Sequence, residues 1–314
     1  MKTEEFFYNT RDNFQIYVKR YFPENETQIK GVIQFVHGML EYSGRYENLA
    51  EFFVSQGFAF CCYDQRGHGK TAELSEKNDN GMFGKIADKN GFSIAVEDIR
   101  EMSEINRNRF PKKKLFILSY SFGSFCTQRF MQNFGNTVDG CILCGTNGPN
   151  NLVNFLSALF AEFLCLFGRD RKIAFVEEFV SNIYIRQIGG KHSCNLDWMC
   201  TLKEDIETYL ADPWCYFRET IGFHTDMMWG NLINHRKKNI RKVPLSLPVL
   251  FIYGKADPVG GYGKFIKKIS DTLISSGHSD VTMKGYERGG HEILKEYCAF
   301  QVWNDISGWI SNHL

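Results

Sequence analysis

The stretch Leu115-Phe116-Ile117-Leu118-Ser119-Tyr120-Ser121-Phe122-Gly123 sets an apolar, strand-like run directly against two serines and a glycine. A serine that acts as a nucleophile on a sharp strand-to-helix turn needs a small residue two positions away on each side, because the turn is crowded and its backbone strained. Around Ser121 those positions hold Ser119 and Gly123, both small. Around Ser119 they hold Ile117 and Ser121, and around Ser124 they hold Phe122 and Cys126, so only Ser121 fits. Serines at strand ends are more often turn formers than nucleophiles, and Ser119 stands where the G-x-S-x-G pattern has glycine.

The choice therefore rests on partners. An activated serine needs a base within hydrogen-bond reach and a third group to orient that base, in the chain order serine, acid, histidine on such a turn. Asp257 lies just past the apolar run 249–253, and His291 just past the run 281–284. Singly, each reads as a turn or cap residue; in this order and context, Ser121, Asp257 and His291 are expected to form a triad for acyl transfer. Attack by the serine makes an oxyanion, which needs preorganised main-chain donors. Those expected are the N–H of Phe122, directly after the nucleophile, and the N–H of Met39, in a loop where Gly38 lets the backbone approach closely.

Such residues must be presented by strand ends, since ligands in an open parallel sheet sit beyond the carboxyl ends of the strands. Two β-like stretches, 5–9 and 14–22, open the chain around a turn at Arg11-Asp12-Asn13 and read as an antiparallel hairpin. Strand-like runs at 31–36, 58–63, 115–118 and 138–143 then alternate with helical patterns at 46–56, 94–110 and 124–134. That rhythm predicts a mostly parallel sheet with helices on both faces. It breaks between about 147 and 225, where helical segments follow one another and Asp212-Pro213 reads as a helix N-cap with proline at the first helical position. It resumes with a strand at 249–253, a helix at 263–275, a strand at 281–284 and a terminal helix from about 292 to 314. The expected organisation is an α/β core of residues 1–146 and 226–314 carrying a helical cap at 147–225.

A chain of 314 residues with 43% hydrophobic content supports one large α/β domain with an insertion and argues against disorder. The net charge of +1, from 37 basic and 36 acidic residues, supplies no global field, so no nucleic-acid partner is expected. The charged start Met1-Lys2-Thr3-Glu4-Glu5 lacks the apolar core of a signal peptide, and a cytoplasmic location is expected. The ten cysteines read as reduced core residues. Cys141 and Cys144, three apart on a strand, should point to opposite faces and not share a metal. The run His235-Arg236-Lys237-Lys238 with Arg241-Lys242 reads as a solvated helix end.

Two further motifs, His37-Gly38-Met39-Leu40-Glu41-Tyr42-Ser43-Gly44-Arg45-Tyr46 and Asp64-Gln65-Arg66-Gly67-His68-Gly69, resemble H-G-x-x-E-H-S-x-R-Y and D-x-R-G-H-G. With the turn at Ser121, Asp257-Pro258-Val259 and Gly290-His291-Glu292, they make the chain similar to α/β-hydrolases of the monoacylglycerol lipase and lysophospholipase group, which overlaps the serine aminopeptidase S33 family. The departures are Ser119 and Tyr42, where the group has glycine and histidine. The resemblance implies the α/β-hydrolase fold, structural roles for His37 and His68, and hydrolysis of a lipid-type acyl ester, a monoacylglycerol or lysophospholipid, through an acyl-enzyme. No metal or organic cofactor is implied, because the chemistry is complete without one.

Alternatives remain open on the same triad. A small-ester carboxylesterase would need nothing more, whereas an aminopeptidase would need cap carboxylates, such as Glu177, Glu178, Glu204 or Asp205, to hold a free amine. A ligand-binding protein on this fold would often lack a triad member or the oxyanion loop, and this chain keeps every part. Within the cap, 151–167 is apolar except for Asn151, Asn154, Ser157 and Glu162, which fall in one stripe at helical spacing. It reads either as a helix buried against the core or as a lid whose apolar face lines an acyl-chain pocket or makes transient contact with a membrane surface.

Overall fold

Apolar runs that lie inside a parallel sheet are covered on both faces, and four of them here are buried at every residue. They are β3 (Gly31–Val36), β4 (Phe58–Tyr63), β5 (Leu115–Tyr120) and β6 (Gly140–Cys144). The computed structural model describes residues 1–189 and 192–314. Before β3 come β1 (Lys2–Asn9) and β2 (Gln15–Phe22), paired antiparallel, and after β6 come β7 (Val249–Gly254) and β8 (Val281–Tyr286). The eight strands form one sheet in the order β1-β2-β4-β3-β5-β6-β7-β8. β2 meets β4 antiparallel, and every pair from β4 to β8 is parallel.

The period-two alternation of side chains splits the interior into two cores. On one face Val32, Val36, Leu115 and Ile117 pack with α3 (Gly91–Arg109), α4 (Phe122–Phe134) and α10 (Lys264–Ser275), which contribute Ile99, Phe130 and Ile269 among others. On the other face Ile33, Phe35, Phe116 and Leu118 meet Leu49 and Phe53 of α1 (Glu47–Ser55) and Val302 and Ile306 of α11 (Ala299–Ser311). Cys141 falls in the first core and Cys144 in the second, as strand alternation requires.

A short helix, α2 (Gly69–Lys77), follows β4 and has no counterpart in the sequence reading. Its mean hydropathy is low, and its buried residues are small, Thr71, Ala72 and Ser75, so it carries no apolar stripe. Between β6 and β7 the sheet receives no strand among the described residues. The chain there forms α5 (Asn151–Cys165), α6 (Ala174–Ile188), α7 (Lys203–Ala211), α8 (Ile221–Asn234) and α9 (Lys237–Ile240).

Two expected helix starts are corrected. No helix begins at Asp212-Pro213; α7 ends there instead. Asp212 Oδ1 accepts the Trp214 N–H at 2.9 Å, an Asx turn rather than an N-cap, and proline disfavours helical geometry in the residue before it. The terminal helix begins at Ala299, not near Glu292. The main-chain N–H groups of His291 and Glu292 are engaged by the carbonyls of Trp198 and Met199, at 3.4 and 2.7 Å, which keeps this segment out of helical register.

Candidate active site

With β5 ending at Tyr120 and α4 starting at Phe122, Ser121 alone makes the turn, at φ +48° and ψ −121°. A side chain there is strained, and surrounding bonds must hold it. Its N–H donates to Cys144 O at 3.0 Å, and its carbonyl accepts from the Ser124 N–H at 2.8 Å and the Ser124 hydroxyl at 2.6 Å. Gly123 is required by contact: a Cβ would stand 2.4 Å from the carbonyl oxygens of both Val36 and His37. Ser119 fits where glycine was expected because its buried hydroxyl turns to the neighbouring strand and donates to Ile142 O at 3.1 Å.

The structure brings the three separated residues together. His291 Nε2 lies 2.8 Å from Ser121 Oγ, and His291 Nδ1 lies 3.1 Å from Asp257 Oδ1. The second contact has ion-pair distance without hydrogen-bond alignment; such bonds are often loose until substrate is bound. Asp257, fully buried after β7, is fixed by the Val259 N–H, which donates to Oδ1 at 2.8 Å. Gly145, just past β6, makes room for the imidazole, since a Cβ there would lie 2.8 Å from His291 O and 3.3 Å from its Cε1.

The Met39 loop is fixed by a buried charge cluster. Glu41 Oε1 accepts the Gly38 N–H at 2.6 Å, while Glu41 Oε2 meets Arg45 Nη1 at 2.7 Å. Arg45 also reaches Glu292 Oε1 at 2.8 Å and lies over the Tyr209 ring. Burial pushes the Glu292 carboxyl above its ordinary range, opposed by the Arg45 charge. The close approach of Gly123 to the Val36 and His37 carbonyls sets the start of α4 against this loop. Neither the Met39 nor the Phe122 N–H donates to another group among the described residues. Glu41 and Arg45 are an i, i+4 pair within 37–46, so their coupling had a local signal; the reach of Arg45 to Glu292 and the approach of Trp198 to His291 had none.

His37 and His68 are fully buried and apart from the serine. The Gln65 N–H donates to His37 Nε2 at 2.9 Å, and His68 Nδ1 sits 2.9 Å from Arg66 O. Burial lowers their pKa values to about 4 and about 3, which suits structural imidazoles. Tyr42, in place of histidine, donates to Asp212 Oδ2 at 2.9 Å and packs edge-on against Trp214, tying this loop to the segment after α7.

Of the carboxylates considered for an amine site, Glu204 and Asp205 occupy the first turn of α7, where the helix dipole favours them, and Glu178 is exposed. The Glu177 side chain lies outside the described residues, as do those of Asn151 and Asn154. Around α9 the basic side chains Arg236, Lys237, Lys238, Arg241 and Lys242 are exposed, but His235 is buried. On α5 the small Ala158 and Ala161 are buried, while Phe155, Leu156, Leu159, Phe160 and Phe163 are exposed. Among the described residues no cluster of three or more His, Cys, Asp or Glu is placed to hold a metal ion, and no helix is long and apolar enough to cross a membrane.

The sequence pattern of the family described as serine aminopeptidase, S33, matches residues 27–297. The chain is 23% identical over 304 residues to a monoacylglycerol lipase of Mycolicibacterium smegmatis, covering 92% of this chain and 91% of the relative. It is 24% identical over 290 residues to a monoglyceride lipase of Rattus norvegicus, covering 91% and 84%. In fold it resembles a thermostable carboxyl esterase from Bacillus coagulans, with a TM-score of 0.86, 24% identity and 99% of each chain covered.

Proposed function

Because the chain belongs to the serine aminopeptidase S33 family, we propose that it hydrolyses lipid-type acyl esters, monoacylglycerols or lysophospholipids, with Ser121, His291 and Asp257 as its triad. The observation that carries this reading is the 2.8 Å approach of His291 Nε2 to Ser121 Oγ at a strained strand-to-helix turn. Two relatives matched over about nine-tenths of this chain, named monoacylglycerol and monoglyceride lipases, supply the substrate class.

In the mechanism, Ser121 Oγ attacks the ester carbonyl as His291 Nε2 takes its proton, and Asp257 steadies the imidazolium. The Met39 and Phe122 N–H groups donate to the oxyanion, each worth about 3 to 4 kcal/mol of transition-state stabilisation. Collapse breaks the bond to the alcohol oxygen, which receives the proton from His291 and leaves. Water then attacks the acyl-Ser121 carbonyl, giving a proton to His291, and collapse returns that proton to Oγ and releases the fatty acid.

Residues 147–225 form the cap in this proposal, and the outward apolar face of α5 favours transient contact with a lipid surface over burial. Beside it runs a groove of ≈ 580 Å³ lined by Leu159, Phe163 and Leu166 together with Glu162, Arg169 and Asp226. The ten free thiols, eight of them buried, fit a reducing cytoplasmic compartment.

The test is kcat/KM across monoacylglycerols of increasing chain length, with Ser121→Ala as the blank. Activity that rises with chain length and falls by roughly 10⁴-fold or more in the blank supports the proposal. Activity confined to short esters would sink the lipid reading, and release of an amino-terminal residue from a peptide would favour the aminopeptidase.

A further inference from the structure

The loop carrying His291 is held from a second side, by the segment between α6 and α7. The His291 N–H donates to Trp198 O at 3.4 Å and the Glu292 N–H to Met199 O at 2.7 Å. Glu296, almost fully buried, joins the same two segments: its Oε1 accepts the Gly290 N–H at 2.7 Å and the Thr201 N–H at 2.9 Å, and its Oε2 accepts the Thr201 hydroxyl. Gly290 leaves no slack, because a Cβ there would stand 2.8 Å from both Met199 O and Glu296 Oε1. The Trp198 ring packs 5.4 Å from the imidazole, centre to centre, and 4.8 Å from the Tyr184 ring of α6.

From these contacts we infer that residues 198–201 and Glu296 position the histidine, so that the seat of the helical insertion sets the approach of Nε2 to Ser121 Oγ. The inference rests on the proposed triad and goes beyond it, since none of these groups touches the reacting atoms. Main-chain bonds make the coupling stiff: two consecutive N–H groups of the histidine loop end on two consecutive carbonyls of the insertion. A shift of the insertion must stretch those bonds or carry His291 with it, and a displacement of about 1 Å at reacting groups costs about 10²-fold in rate. A substrate whose acyl chain packs against the insertion and keeps it seated is hydrolysed faster at saturation. An ester too short to touch it gains nothing from binding energy remote from the carbonyl.

The test measures kcat and KM separately for Glu296→Met, Thr201→Val, Trp198→Leu and Trp198→Phe, on a long-chain monoacylglycerol and on p-nitrophenyl acetate. Ser121→Ala is the blank, and the rate at which a fluorophosphonate labels Ser121 is followed in parallel. A methionine side chain of similar length accepts none of the three bonds, whereas a glutamine would keep them all, its Oε1 accepting both N–H groups and its Nε2 donating to the Thr201 hydroxyl. Glu296→Met and Trp198→Leu are expected to lower kcat by about 10- to 100-fold with KM within about twofold, and to slow labelling equally. Trp198→Phe, which keeps a ring over the imidazole, restores most of the rate. Thr201→Val removes only the hydroxyl of an exposed residue, and it lowers kcat several-fold even if Glu296→Met fails to fold.

Wild-type kcat in folded Thr201→Val and Trp198→Leu, or a change confined to KM, overturns the inference. Full activity in Ser121→Ala overturns the triad instead, so the two failures are distinct.

Discussion

Ser121 is held at positive φ by neighbours that leave little room, and the tightest is Gly123. Alanine at 123 would gain about 1 kcal/mol of helix propensity, but its methyl would collide with two carbonyl oxygens at 2.4 Å. Gly123→Ala is expected to lower stability by about 1–3 kcal/mol, seen as a fall in Tm. It should also reduce kcat by about 10²- to 10³-fold, because α4 and the Met39 loop are pushed apart. Asp257→Asn should preserve the fold and drop kcat by about 10⁴-fold, since the amide no longer steadies the imidazolium. Ser119→Gly restores the small residue of the turn pattern and loses only the bond to Ile142 O; activity within about twofold of wild type, with about 1 kcal/mol less stability, is expected. The turn itself was legible because its constraints are local: small residues at fixed offsets and apolar runs that must be strands. That Asp257 and His291 converge on Ser121 was legible from their order and their places just past strand ends. Glu296 was not, because its partners lie 95 residues away at Thr201 and across a non-helical turn at Gly290.

Elements of the sheet follow the alternation of apolar runs closely, while the insertion does not, and Asp212 shows why. Local rules treat aspartate before proline as a helix start, but here the carboxylate satisfies Trp214 N–H on one oxygen and Tyr42 OH on the other. A tertiary bond across 170 residues thus competes with a local cap and wins. Tyr42→Phe removes that bond from a half-buried site; a loss of about 1 kcal/mol, or about 2 °C in Tm, is expected with short-ester kcat unchanged. Helix α5 differs in another way: Ala158 and Ala161 let it approach α8 closely, so its large residues face outward. Replacing Phe160 and Phe163 together by serine should abolish sedimentation with phosphatidylcholine vesicles while hydrolysis of p-nitrophenyl acetate persists. Undiminished vesicle binding by the pair would remove α5 as the contact surface.

For the molecule as a whole, three buried histidines and the largely buried His224 lower stability in acid, opposed by Asp98, whose buried carboxyl is pushed up to about 7. Burial lowers the pKa of His37 and His224 to about 4 and of His68 and His235 to about 3, against 6.5 in an exposed setting. At these four sites the unfolded chain therefore binds more protons between pH 6.5 and about 4, so their contribution to stability is complete above 6.5 and falls as the pH drops below it. Each histidine contributes a slope approaching roughly 1.4 kcal/mol per pH unit. Urea midpoints should be lower at pH 5 than at pH 7, and His235→Gln, far from the serine in sequence, should flatten the slope by about one histidine's share. A flat profile would mean that these imidazoles are not held neutral. The same burial acts on the thiols, of which Cys165 and Cys194 are half-exposed and the other eight are buried. Burial raises the pKa values of the eight buried thiols, Cys61 to about 12, so an alkylating reagent meets almost no thiolate among them in the folded chain. The chain thus carries its own stopwatch: after reaction at the two half-exposed sites, each further alkylation marks an excursion that opened the core, and their rate counts how often the native fold is lost with no probe site engineered into it.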